Sequence, residues 1–69
     1  MMKINLLKLK GKRVESGKTR NQWAMCLEIT EQALGNKLAG RTDFKVTELT
    51  KTFDFLGIKV EEIANFFTE

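Results

Sequence analysis

The chain has 69 residues and so holds one domain at most. Hydrophobic residues make up 42% and charged residues 30%, the balance of a folded globular domain rather than a disordered tail. One cysteine excludes an intrachain disulfide, and the absence of histidine excludes a Cys/His zinc site and any Ser-His or Cys-His catalytic couple. A chain this short buries only about 60% of its unfolded surface, and helical packing is its usual way to stay folded. No apolar run reaches membrane-spanning length. Lys3, Lys8, Lys10 and Lys12 interrupt the first twelve residues, which therefore lack the apolar stretch of a signal peptide. The expectation is a cytoplasmic domain covering residues 1–69.

The first helix is expected from about Asn5 to Ser16, with Leu6, Leu7, Leu9 and Val14 on one arc and Lys8, Lys12 and Glu15 outside. Gly17 stops it. Thr19 and Gln22 form a capping box that starts a second helix with Trp23, Ala24 and Leu27 inward. At this spacing Trp23 reads as a core anchor rather than a stacking platform. Cys26, without a histidine partner, reads as a small core filler.

Glu28-Ile29 breaks the pattern. Thr30 caps a third helix from Glu31 to about Ala39, with Ala33, Leu34 and Leu38 inward and Gly40 closing it. Two short helices separated by about three residues have the spacing of a helix-turn-helix. After a loop holding Phe44, Thr47 is expected to cap a fourth helix with the stripe Leu49, Thr52, Phe53 and Leu56. Ile58 and Val60 are expected to drop into the core. A fifth helix near Glu61 to Phe67 presents Ile63, Phe66 and Phe67. The expected fold is all-α, with five short helices and a core of Leu9, Val14, Trp23, Leu27, Ile29, Leu34, Leu38, Phe44, Leu49, Phe53, Leu56 and Ile63.

Charge is unevenly spread. Residues 1–20 carry seven lysines and arginines against Glu15 alone, a net +6, whereas the remainder is mildly acidic. A basic third of this kind faces either a polyanion or only water. Carboxylates are present, but no pair is placed for acid/base chemistry, and no enzyme, metal or cofactor is expected.

Thr19-Arg20-Asn21-Gln22-Trp23-Ala24, Ile29-Thr30, Leu34 and Leu38-Ala39-Gly40 together resemble the helix-turn-helix of the lambda-repressor/Cro (Xre-like) family. Leu9 to Gly17 resembles that family's first helix and turn, and Leu49 to Ile63 its fourth and fifth helices. Length and the closing Phe66-Phe67 look most like a small temperate-phage regulator, either Cro-like or a modulator of repression. The resemblance implies that Arg20 meets a phosphate, that Thr30, Glu31, Gln32, Asn36 and Lys37 face bases or backbone, and that Arg41 and Thr42 add phosphate contacts.

An α-helix fits the major groove, where glutamine and asparagine suit adenine and lysine suits guanine. The implied partner is operator DNA, read by a possible homodimer. Three positions depart from the family pattern. Glu28 stands where a glycine is usual, Glu31 puts a carboxylate at the leading base-reading position, and Gly35 lies inside the recognition helix. Glu31 also suits the positive end of a helix dipole. On DNA its charge opposes binding unless it meets a cytosine, so the alternative expectation is an antirepressor that docks on a phage repressor.

Overall fold

The computed structural model describes residues 3–68. Met1, Met2 and Glu69, which the single-domain reading includes, lie outside the described residues. Five α-helices make up nearly all the regular structure: α1 Leu6–Glu15, α2 Arg20–Leu27, α3 Glu31–Leu38, α4 Val46–Phe55 and α5 Val60–Ile63. A 3-10 turn, Ala64–Phe66, follows α5. The fold is therefore all-helical, with one addition that the sequence pattern does not announce. Strands β1 (Lys3–Ile4) and β2 (Phe67–Thr68) pair antiparallel, with Lys3 opposite Thr68 and Ile4 opposite Phe67. The Asn5 N–H extends this tie by donating to the Phe66 carbonyl at 2.6 Å.

The helix starts follow local chemistry. Asn5 caps α1 by accepting from the Lys8 N–H. The Thr19–Gln22 box is complete: the threonine hydroxyl accepts from the Gln22 N–H at 3.1 Å, and the glutamine side chain accepts from the Thr19 N–H at 3.0 Å. Thr30 caps α3 through the Ala33 N–H at 3.0 Å. α4 starts earlier than its hydroxyls suggest. Its cap position is Lys45 rather than Thr47, because the Glu48 carboxylate reaches back to the Lys45 N–H at 2.8 Å.

The core consists of Leu9, Trp23, Ala24, Leu27, Leu34, Leu38, Phe53, Leu56, Ile58 and Phe66, with Ile29, Phe44, Leu49 and Ile63 half-buried against it. Trp23 is completely buried. Its indole N–H donates to the Thr52 hydroxyl at 2.9 Å, and its ring stacks on Phe44 with centroids 6.3 Å apart. α2 is thereby locked to α4, and the exposed faces of α2 and α3 gain a rigid base.

Two expected core residues are not in the core. Val14 is 66% exposed, and Val60, at the first position of α5, is 83% exposed. Leu9 goes to the centre, so α1 turns roughly a quarter of a rotation away from its apolar arc at about 100° per residue. Half-buried Lys12 and Arg13 flank Leu9, and their aliphatic stems cover the core edge in place of Val14. Leu7 shares the fate of Val14, at 79% exposed.

Candidate nucleic-acid interface

α2 ends on Glu28, which takes the left-handed conformation at φ 58° and ψ 39°. A glycine adopts this geometry without side-chain conflict, whereas an ordinary residue is strained by about 1–2 kcal/mol. The bend lets Ile29 tuck against the core and delivers Thr30 to the cap of α3. α3 closes at Gly40, which holds φ 81°. Residues 28–30 thus form a three-residue turn that sets the start of α3 beside the start of α2. One direct bond joins the two starts: the Asn21 amide donates to the Glu31 carboxylate at 3.2 Å.

Of the residues expected to bind, Arg20, Thr30, Glu31, Gln32, Arg41 and Thr42 are exposed. Gln32 and Thr42 make no side-chain hydrogen bond among the described residues. Asn36 is half-buried and accepts from Arg41 Nη1 at 3.3 Å, which holds Arg41 along the end of α3. Lys37 is engaged elsewhere. Its ammonium meets the Glu48 carboxylate at 3.0 Å and donates to the Asp43 carbonyl at 2.9 Å, with both charged side chains nearly buried. Burial pushes the Glu48 carboxyl up, but bonds from the Lys45 N–H and Lys37, with both lysine charges, outweigh burial and hold it below the ordinary carboxylate value. Lys37 therefore staples α3 to α4 and does not join the exposed group.

Of the three cations that do gather, Arg20 alone is among the residues expected to bind. Lys10 and Arg13 of α1 and Arg20 of α2 line a cleft of about 290 Å³ whose other lining residues are Gly35, Leu38 and Ala39 of α3. No carboxylate lines it. Arg13 is steadied by a bond from Nη1 to the Lys18 carbonyl at 2.8 Å, while among the described residues Lys10 and Arg20 have no ion pair or hydrogen-bond partner for their charged groups. At Gly35 a Cβ would sit 2.7 Å from Arg20 Nη2, so the guanidinium lies directly against the α3 backbone and a side chain there would displace it. α2 has no acidic residue in its first turn. A cation stands at the positive end of its dipole instead, an arrangement favourable to an external anion. The sequence signal for Lys10 and Arg13 is their i, i+3 spacing within the +6 segment.

No group of three metal-ligating side chains converges among the described residues, and Cys26 is a half-buried free thiol on α2. No helix among the described residues is long and apolar enough to cross a membrane. A family model described as a protein of unknown function (DUF739) matches residues 2–69, and the chain belongs to that family. No curated protein and no solved structure matches the chain.

Proposed function

We propose that the protein is a helix-turn-helix transcriptional regulator of the lambda-repressor/Cro kind, acting on operator DNA in the lytic–lysogenic switch of a temperate phage. The observation that carries this reading is the cleft of Lys10, Arg13 and Arg20 against the C-terminal half of α3, whose first turn is exposed. A phosphodiester in that cleft neutralises charges that the protein leaves unpaired. With α1 and α2 on the backbone, the first turn of α3 enters the major groove and offers Gln32 to a base edge. Arg41 and Thr42 extend the backbone contact past the end of α3. Lys37 stays with Glu48 and reads nothing.

One observation favours a second reading, the antirepressor. With Lys37 withdrawn to Glu48, the exposed first turn of α3 carries Glu31 and no cation. Such a surface suits a basic face of a repressor. The Asn21 bond to Glu31 supplies a purely structural use for the same carboxylate, so operator binding remains the leading reading.

The experiment is a mobility shift on the operator region flanking the protein's own gene, with and without the cognate repressor. Operator binding alone, with a salt slope that falls by about one for each of Arg13→Ala and Arg20→Ala, supports the Cro-like reading. No DNA binding alone, combined with release of the repressor from DNA, assigns the antirepressor role. Glu31→Gln then weakens the repressor complex without weakening DNA binding.

A further inference from the structure

The lysines and arginines of residues 1–20 are not equivalent, and Lys18 stands apart from the cations of the cleft, which it does not line. It is half-buried, and its ammonium goes to the end of α4. There it donates to the Phe55 carbonyl at 2.6 Å and lies over the Phe55 ring, 4.7 Å from the centroid. That carbonyl is open to a side chain because the N–H groups that follow turn to earlier ones: Leu56 to Thr52, Gly57 to Asp54 and Ile58 to Phe53. A lysine at this point completes the last turn of α4 and meets the negative end of its dipole.

Closing α4 needs only the Lys18 side chain, and the backbone of the same residue does something else. The Lys18 carbonyl accepts from Arg13 Nη1 at 2.8 Å, and the Lys18 N–H donates to the Arg13 carbonyl at 3.3 Å. One residue thus holds Arg13 at both its main chain and its guanidinium, and that residue is itself fixed to α4 by its ammonium. The chain between them turns on Gly17, at φ 71°. Beyond Lys18, Thr19 caps α2 and Arg20 opens it. The cleft cations Arg13 and Arg20 therefore lie on either side of a single anchored residue.

We infer that Lys18 is a positioning residue for the cationic cleft: by tying the α1–α2 turn to the Phe55 carbonyl, it fixes the carbonyl that aims Arg13 at a DNA phosphate. This inference rests on the operator reading of that cleft. A long side chain that is free in solution loses rotamer freedom when it meets a phosphate, and one already held loses less. Arg13 spends one N–H on Lys18 and keeps its other donors for the anion. Lys18 acts through Arg13 and needs no phosphate of its own.

The test measures DNA binding of the full chain by fluorescence anisotropy across a range of salt. Phosphate contacts carry no sequence information, so the probe is a labelled duplex of about 20 base pairs of arbitrary sequence. Arg13→Ala is expected to lower the salt slope by about one. Lys18→Met keeps an aliphatic stem over Phe55, and is expected to weaken binding about three- to tenfold and to shift the slope toward that of Arg13→Ala. Lys18→Met/Arg13→Ala is expected to match Arg13→Ala alone in affinity and slope, because the anchor then has nothing to aim. Lys10→Ala/Arg13→Ala, which removes two cations of the cleft, is expected to lower the slope by about two. Lys18→Arg keeps a donor for the Phe55 carbonyl and a cation for the ring, and is expected to bind within about twofold of the parent. In the free protein, NMR relaxation of the Arg13 Nε–H is expected to report an ordered side chain in the parent and in Lys18→Arg, and a mobile one in Lys18→Met.

A slope that falls by about two in Lys18→Met/Arg13→Ala makes Lys18 a phosphate ligand and overturns the proposal. Parent-like DNA binding by Lys18→Met overturns it as well, leaving Lys18 as a cap of α4 alone. So does a Lys18→Arg variant as weak as Lys18→Met, or an Arg13 side chain equally ordered with and without the lysine. These outcomes leave the operator reading standing. No DNA binding by the parent, even at low salt, overturns both.

Discussion

The two sides of this small domain use their polar groups in opposite ways. Where α2, α3 and α4 meet, the buried polar side chains are paired inside the chain. The Trp23 indole holds the Thr52 hydroxyl, and Lys37 holds Glu48 and the Asp43 carbonyl. Along α1 and the start of α2, Lys10 and Arg20 have no partner for their charged groups among the described residues, and Leu7 and Val14 face water. Residues of the same chemical type are thus consumed by folding on one side and left available on the other. Lysine at position 37 and lysine at position 10 cannot be given the same role, although each lies on a helix in a basic or mixed-charge stretch.

The first way to break this contrast is Trp23→Ala. Removing a fully buried indole is expected to destabilise the domain by about 3–5 kcal/mol. That rivals the total stability of a typical small domain, so much of the population unfolds. Thermal or urea denaturation followed by circular dichroism measures it. Val14→Ala on the opposite side is expected to change stability by less than about 0.5 kcal/mol, as an exposed substitution does. Equal losses at the two positions would refute the assignment of the two sides.

Next in size is Lys37→Ala, which leaves the Glu48 carboxylate buried with only the Lys45 N–H. Breaking a buried pair costs about 3–5 kcal/mol, and the retained Lys45 bond puts this case near the lower end. Glu48 also sets a pH dependence. Its carboxyl is held below its unfolded value, so the folded state binds fewer protons there. The stabilisation is full above the unfolded carboxyl range, about pH 4.3, and is lost as pH falls through the lower folded value. Melting temperatures between about pH 6 and pH 3 are expected to fall more steeply in the parent than in Glu48→Gln. Parallel curves would remove Glu48 from the acid response.

Helix starts marked by a side chain three residues away were legible: Thr19 with Gln22, and Thr30 before Ala33. So were the inward positions Leu27, Leu34, Leu38, Phe53 and Leu56, whose spacing repeats every three or four residues. Val14 failed because periodicity gives the arc of apolar residues, not how far the helix turns when Lys and Arg stems cover its edge. Thr47 failed as a cap because Glu48 already serves Lys45, a competition that a hydroxyl-based reading does not weigh. The Lys37–Glu48 pair and the β1–β2 pairing join distant positions, and local pattern has no access to either. The same distance hid the cleft: the net +6 was visible, but only the packing of α1 against α2 and α3 brings Lys10, Arg13 and Arg20 together.

Glu28 offers a smaller effect. Its left-handed backbone favours glycine, and its bridge to Lys51 at 3.2 Å is exposed and worth little. Glu28→Gly relieves about 1–2 kcal/mol of conformational strain but restores about 0.5–1 kcal/mol of chain entropy to the unfolded state. The expected net is a gain of up to about 1 kcal/mol, read as a higher urea midpoint with an unchanged slope. A loss above about 1 kcal/mol would mean that the Lys51 contact matters more than an exposed pair should.

The smallest effect on stability carries the sharpest contrast. Arg20 opens α2 with a positive charge where the helix dipole favours a negative one, and no acid stands in that first turn. Arg20→Gln removes the unfavourable charge and keeps a side chain of similar reach. The free protein is expected to gain about 0.3–1 kcal/mol, measured at low ionic strength, with the gain fading as salt is added. On the proposed operator reading, the same substitution weakens DNA binding and reduces its salt slope by about one. Opposite signs in the two measurements mean that the residue is maintained at a cost to folding for the sake of an external anion. A loss of stability together with unchanged DNA binding would assign Arg20 to the fold, through its packing over Gly35, and leave the cleft without its central cation.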